Sequence, residues 1–225
     1  MQTQVIVVGS GKLATELLSS PKLNREFRVA HWGNQTVAAN KSIVIHAGSG
    51  RELKDVFAYC ETTQSPLIEL ATGSEIATTN AFPIVICPNT NILMLKFMSM
   101  LEQSGHLFHG HRITLVESHQ AQKTSVPGTA VGMAHSLGLS DSDVLSIRNV
   151  NTQRTDLNIP DAHLARHAYH RIVIEDGGCS VAFETRVYGD SPYAEGVTQI
   201  VAAVQNLDLE NRPYSIMEFI NNRWV

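Results

Sequence analysis

The sharpest chemical signal in the sequence is ESHQAQKTSVPGTA (117–130). It leaves an apolar, strand-like run, carries His119 and then Lys123, and passes a Pro-Gly break into a helical pattern. A histidine and a lysine four residues apart in one loop can converge on an anion and can also offer protons. The competing reading is a pair of solvated loop residues. A second signal is GSGKLA (9–14), which fits a GxGxxG/A fingerprint with a strand before it and a helix after it. Glycines there permit a tight turn and close backbone approach, so Gly9, Ser10, Gly11, Lys12 and Leu13 would present amides and a helix N-terminus to a pyrophosphate. No GK[ST] ends the turn, which excludes a Walker A loop. Lys12 either reaches a phosphate or is a solvated lysine at a helix start.

The acid or arginine that would choose between the two pyridine nucleotides is missing after the second strand, where the sequence reads AHWGNQT (30–36). The cofactor is therefore NADPH or NADH, with the choice open. His46 ends a strand at the carboxyl edge where cofactors bind in such sheets and is a candidate for the nicotinamide pocket. HLFHGH (106–111) has spacing that resembles metal ligation, but without HExxH or nearby cysteines it reads as a solvated helix-to-strand loop, and no metal is expected. His167 and His170, at the start of a hairpin, read as structural. Cys60, Cys87 and Cys179 form no CxxC pair and read as buried apolar residues.

The elements that must position these groups follow from periodicity. QVIVV (4–8), KLATELLSS (12–20) and FRVAHW (27–32) make a βαβ unit, and SIVIHA (42–47), helical RELKDVFAYCETT (51–63), PLIELAT (66–72) and FPIVICP (82–88) continue it. Strands so uniformly apolar are covered on both faces. At Asn91 the pattern changes to a long helix (91–105), a strand (112–118), a helix (129–138) and a polar stretch (149–163). A hairpin follows, HRIVIE and CSVAFETRVY around DGG, the glycine pair supplying positive φ. Helical AEGVTQIVAAVQNL (194–207) carries Val197, Ile200, Val201 and Val204 on one stripe that should pack back on the N-terminal sheet. The fold class expected is α/β, a Rossmann-type parallel sheet followed by an α+β region.

Seventeen Lys and Arg against 21 Asp and Glu leave a formal charge of −4, which excludes a generic nucleic-acid binder. An apolar share of 43% suffices for a proper core. The richest apolar run, NILMLKFMSML (91–101), is broken by Lys96, so no membrane span is expected. With no basic n-region at the start, the reading is a soluble, cytoplasmic protein.

The 117–130 segment resembles the active-site motif E-x-H-H-x-x-K-x-D-A-P-S-G-T-A of the dihydrodipicolinate reductase (4-hydroxy-tetrahydrodipicolinate reductase) family, which Glu117, His119, Lys123, Pro127, Gly128, Thr129 and Ala130 match in order. Gln120 stands where that family has its second histidine and Ser125 where it has Asp, and one residue is absent between Pro127 and Gly128. GSGKLA is similar to a shortened form of the family's nucleotide turn. ATGS (71–74), with Ala71 and Gly73, occupies the place of its GTTG, PNTN (88–91) that of A-N-F-S, and His167 that of the histidine in G-E-H.

The resemblance implies a dinucleotide-binding domain over 1–90 and 195–225. It implies a substrate-binding and oligomerisation domain over 91–194, whose open mixed sheet builds a homotetramer. The implied activity is NAD(P)H-dependent reduction of a cyclic imine or enamine dicarboxylate in lysine and diaminopimelate biosynthesis. His119 would be the proton donor, and Lys123 would neutralise a substrate carboxylate. Gln120 would donate a hydrogen bond to a carboxylate without neutralising it. Gly128 and Thr129 would open a helix whose amides hold a carboxylate, with a plain N-cap the equal reading for Thr129. Two alternatives stand beside this: a dinucleotide-binding sensor that has lost catalysis, favoured by Gln120 and Ser125, and a dehydrogenase of another small acid.

Overall fold

The structure is a computed structural model and describes residues 2–33, 40–71, 73, 76–77, 80–189 and 191–225, with the side chains of 191 and 192 left out. Two compact units divide the chain, one made of Met1–Leu95 with Asp190–Val225, the other of Lys96–Gly189.

In the first unit, β1 (Gln4–Val8), β2 (Arg28–His31), β3 (Ile43–His46), β4 (Leu67–Glu69), β5 (Ile84–Ile86) and β10 (Pro213–Ser215) form one sheet in the order β10-β5-β4-β3-β1-β2. Every pairing in it is parallel. Parallel strands need crossovers, supplied here by α1 (Lys12–Ser19), α2 (Pro21–Glu26), α3 (Leu53–Thr63) and α7 (Ser191–Asn206), with α8 (Ile216–Asn221) closing the chain. Ile6, Val8 and Val44 pack with Val56 and Cys60 of α3, while Val5 and Val7, alternating along the pleat, point to the opposite face. α7 packs against α1, α2 and β3, and its stripe Val197, Ile200, Val201 and Val204 is buried as its periodicity predicts. Each such side chain withdrawn from water is worth about 1.5–3 kcal/mol, so the stripe is a main anchor of the helix.

The chain order reverses between β1 and β3, which makes the crevice beside their carboxyl ends the place where such sheets take ligands. Gly9 sits there at φ 119°, and a Cβ on it would lie 2.6 Å from the carbonyl oxygen of Ala47. Gly9→Ala is therefore expected to lower stability by about 1–3 kcal/mol through backbone strain, as read by thermal unfolding.

In the second unit, β6 (Arg112–His119), β7 (Val144–Ile147), β8 (His167–Asp176) and β9 (Cys179–Tyr188) form a mixed sheet in the order β7-β6-β8-β9, with β6 and β7 parallel and the other pairs antiparallel. α5 (Gly128–Ser136) packs on β6 and β7, and α6 (Val150–Thr155) leads out of β7. α4 (Ile92–Ser104) begins within the first unit's residues and ends in the second's.

Several local expectations are corrected. α6 lies inside the stretch that reads as merely polar, because Asn149 caps it by accepting from the amides of Asn151 and Thr152 while only Gln153 is buried. β7 and β10 are too short to show a period. In the hairpin turn only Gly177 takes positive φ, 56°, which suits a II′-type turn. Cys60 and Cys87 are buried, but Cys179 is exposed, because it opens edge strand β9 beside that turn.

Candidate active site

The second unit holds a buried acid–base cluster at the carboxyl end of β6. Glu117 is fully buried, and its cross-strand neighbours are Ser146 on β7 and His170 on β8. Arg148 grips it with both guanidinium nitrogens, Nη2 on Oε1 at 2.6 Å and Nη1 on Oε2 at 3.1 Å, and the Ser146 hydroxyl donates to Oε1. Burial opposes ionisation, but the hydrogen bonds from His119, Arg148 and Ser146 outweigh it and hold the Glu117 carboxyl down to about 2. An ionised carboxylate only accepts, so His119 donates its Nδ1 proton to Oε2 at 2.9 Å. The tautomer is thereby fixed, and Nε2 is the ring atom left to exchange a proton. The His119 side chain is 15% exposed, so a reactant can reach it.

The surroundings keep this ring in place. His170 stands edge-on to it at 5.9 Å between centroids. Burial, with His119 nearby, pushes the His170 pKa down to about 4, so this second ring is neutral at ordinary pH. His167 donates Nδ1–H to the carbonyl of His163 and accepts at Nε2 from Ser118, whose oxygen accepts in turn from the Gln153 amide. Gln153 also donates to the carbonyl of His119, holding the backbone from which the ring projects.

Arg148 connects this cluster to the loop that follows. Its Nε donates to the carbonyl of Lys123, and the Lys123 amide donates to the carbonyl of Gln120. Gly128 and Thr129 begin α5, and the cap position is Pro127, with no side-chain cap. Thr129 is therefore inside the helix, which corrects its reading as the N-cap: proline takes the extended conformation that a cap requires. A helix start of this kind can present backbone amides to an anion.

In the first unit, Gly11 is the cap of α1, again without a side-chain cap, and a Cβ on it would meet nothing within 4 Å. The turn formed by Gly9, Ser10, Gly11, Lys12 and Leu13 is thus open at Gly11, where the helix starts, which fits a bound phosphate. His46 is buried at the end of β3, its Nδ1 2.8 Å from Glu69. The same carboxylate accepts from the amide of Ala71, so Glu69 joins two of the predicted cofactor residues. Gly73, at φ 83°, and Ala71 line a cleft with Gly48 and Gly50. Thr72 and Ser74 of the ATGS segment, and Asn34, Gln35 and Thr36 after β2, lie outside the described residues. Of the HLFHGH histidines, His109 packs on Gly138. Among the described residues no group of three His, Cys, Asp or Glu is placed to hold a metal, and no helix is long and apolar enough to cross a membrane.

A Rossmann-type parallel sheet with a separate mixed sheet puts the chain in the class of two-unit α/β proteins. In solved structures the same fold is seen in dipicolinate-bound dihydrodipicolinate reductase from Paenisporosarcina sp. TG-14, with a TM-score of 0.64 at 15% identity over 98% of this chain and 99% of that one. A probable dehydrogenase from Thermotoga maritima is more distant, with a TM-score of 0.51 at 9% identity over 98% and 93%. In sequence, the chain is similar to probable 4-hydroxy-tetrahydrodipicolinate reductase 1, chloroplastic, of Oryza sativa subsp. japonica, at 33% identity over 123 residues, 50% of this chain and 36% of that one. For 4-hydroxy-tetrahydrodipicolinate reductase 1, chloroplastic, of Arabidopsis thaliana the identity is 31% over 150 residues, 60% of this chain and 43% of that one. The chain thus spans less than half the length of either relative. No family model matches. Part of the chain is thus similar in sequence to 4-hydroxy-tetrahydrodipicolinate reductases, and the whole of it is similar in fold to a dihydrodipicolinate reductase.

Proposed function

We propose that the chain is an NAD(P)H-dependent oxidoreductase that reduces a cyclic imine or enamine dicarboxylate, 4-hydroxy-tetrahydrodipicolinate in the route to diaminopimelate and lysine. The observation that carries this reading is the Arg148–Glu117–His119 arrangement, an orienting acid behind a histidine with one nitrogen left for a proton. Reduction of a C=N or C=C bond needs a hydride and a proton. A bound reduced dinucleotide supplies the first, and Nε2 of His119 delivers the second. The turn Gly9 to Leu13 would hold the pyrophosphate, His46 would serve the nicotinamide pocket, and Ala71 and Gly73 would complete the cofactor site. Lys123, Gln120 and the first amides of α5 at Gly128 and Thr129 hold the substrate carboxylates.

The test is to incubate the purified protein with freshly generated hydroxytetrahydrodipicolinate and NADH or NADPH and to follow absorbance of the reduced cofactor. Oxidation with neither nucleotide overturns the reductase reading and leaves a dinucleotide-binding sensor. Gly11→Val is expected to keep the unfolding temperature, since its Cβ meets open space, while weakening nucleotide binding at least ~10-fold by blocking backbone approach. Unchanged affinity would contradict the turn's role. Lys123→Ala should raise KM and also lower kcat, each by ~10-fold or more, because a charge-assisted contact is lost in both ground and transition states. A change in kcat alone would remove the lysine from substrate binding. Assembly belongs to the same reading: β9 is an edge strand with exposed Val181, and a homotetramer through this sheet is expected in light scattering. A one-chain mass at micromolar protein would refute it.

A further inference from the structure

We infer that His31 reads the adenosine ribose and makes the choice between the two pyridine nucleotides depend on pH. This rests on the dinucleotide reading above and adds which form is held under which condition. In sheets of this kind the residue at the end of the second strand meets the adenosine ribose, an acid taking the 2′-hydroxyl and an arginine the 2′-phosphate. Here β2 ends at His31, in register with Val7, and the sequence has no Asp, Glu, Lys or Arg from Val29 to Asn40. The histidine is the one ionisable side chain in that stretch.

The ring is anchored. Its Nε2 lies 3.1 Å from the carbonyl oxygen of Gly9, the first residue of the phosphate turn. A carbonyl oxygen only accepts, so Nε2 carries a proton and Nδ1 is the atom whose state can change. Among the described residues Nδ1 has no partner. When the ring is neutral, Nδ1 offers a lone pair to a ribose 2′-hydroxyl. When it is protonated, Nδ1 offers an N–H and a positive charge to a 2′-phosphate. Histidine changes charge between about pH 5 and 8, so falling pH shifts preference toward the phosphorylated nucleotide. The elements packed against β2 bring Lys12 and Glu16 on α1 and Lys22, Arg25 and Glu26 on α2, and β1 brings no ionisable group. His31 is the one histidine among the described residues of β1, β2, α1 and α2.

Isothermal titration of the intact protein with NAD⁺ and NADP⁺ between about pH 5.5 and 8.5 tests this, with His31→Gln as reference because a 2′-phosphate takes up its own proton near pH 6. The ratio of the NAD⁺ to the NADP⁺ dissociation constant should rise ~10-fold more in the native protein than in His31→Gln as the pH falls, a charge-assisted hydrogen bond replacing a neutral one. His31→Arg, which keeps a donor and a charge at all these pH values, should favour NADP⁺ throughout. Equal pH dependence in the native protein and His31→Gln, with both nucleotides bound, overturns the inference and leaves the dinucleotide reading intact. Binding of neither nucleotide to the native protein overturns the dinucleotide reading itself.

Discussion

His119→Ala is expected to lower kcat by the ~10²–10⁴ that a general acid contributes, while the affinity for the reduced dinucleotide stays as it was. On the proposed reading the loss falls on kcat, because the proton would leave Nε2 only in the transition state, and the turn Gly9 to Leu13 proposed for the nucleotide belongs to the other unit. On the same proposed reading, Glu117 singles out this histidine among the ten in the chain: its ionised carboxylate fixes Nδ1 as a donor and leaves Nε2 for a substrate. His170 is neutral and deeply buried, and His167 uses both nitrogens within the protein, so neither can replace it. Steady-state rates with saturating nucleotide check the expectation. An alanine variant that turns over at the native rate would remove His119 from the chemistry.

Arg148→Met is expected to destabilise the protein by about 3–5 kcal/mol, the usual cost of breaking a buried ion pair from one side. The methionine fills much of the space but leaves the Glu117 carboxylate in the sheet with no permanent positive charge beside it. At ~2–4 °C per kcal/mol for a chain of this size, the unfolding midpoint should fall by on the order of 10 °C. The double variant Arg148→Met with Glu117→Gln removes the uncompensated charge and should recover a large part of that loss. An undiminished midpoint in the single variant would show that the pair does not act as a buried ion pair. Activity should fall in the double variant even where stability returns, since a neutral amide orients His119 less firmly than a carboxylate.

The contrast between these two residues shows what was legible in the sequence. His119 stands in a motif of fixed spacing at the end of a recognisable strand, and the parallel sheet announced itself through long apolar runs separated by helical periods. Arg148 belongs to the same site, but 31 residues of chain separate it from Glu117. It follows a four-residue strand whose Leu145 is more exposed than buried, so neither period nor hydrophobicity marked it. A short, mostly apolar run, V-L-S-I, leading into an arginine was the one available signal. Glu69 was hidden differently, as a charged residue within an apolar strand whose pairing with His46 depends on β3 and β4 being neighbours. Contacts across a sheet are set by register between distant segments, and spacing along one segment cannot report them.

The two-segment composition of the first unit has a consequence for synthesis. On the ribosome, β1 to β5 emerge early, but α7 and β10 come only after the whole 96–189 unit has been made. Until then the faces of α1, α2 and β3 that α7 covers are bare, and β5 has an unpaired outer edge that β10 will later occupy. The continuous unit can reach its own hydrogen-bonded sheet during that interval. The interrupted one must wait with apolar surface and a free strand edge in water, the combination that draws nascent chains together or onto chaperones. Because Val197, Ile200, Val201 and Val204 arrive late, the yield of native protein is expected to depend on how soon residues 190–225 follow the 96–189 unit out of the exit tunnel.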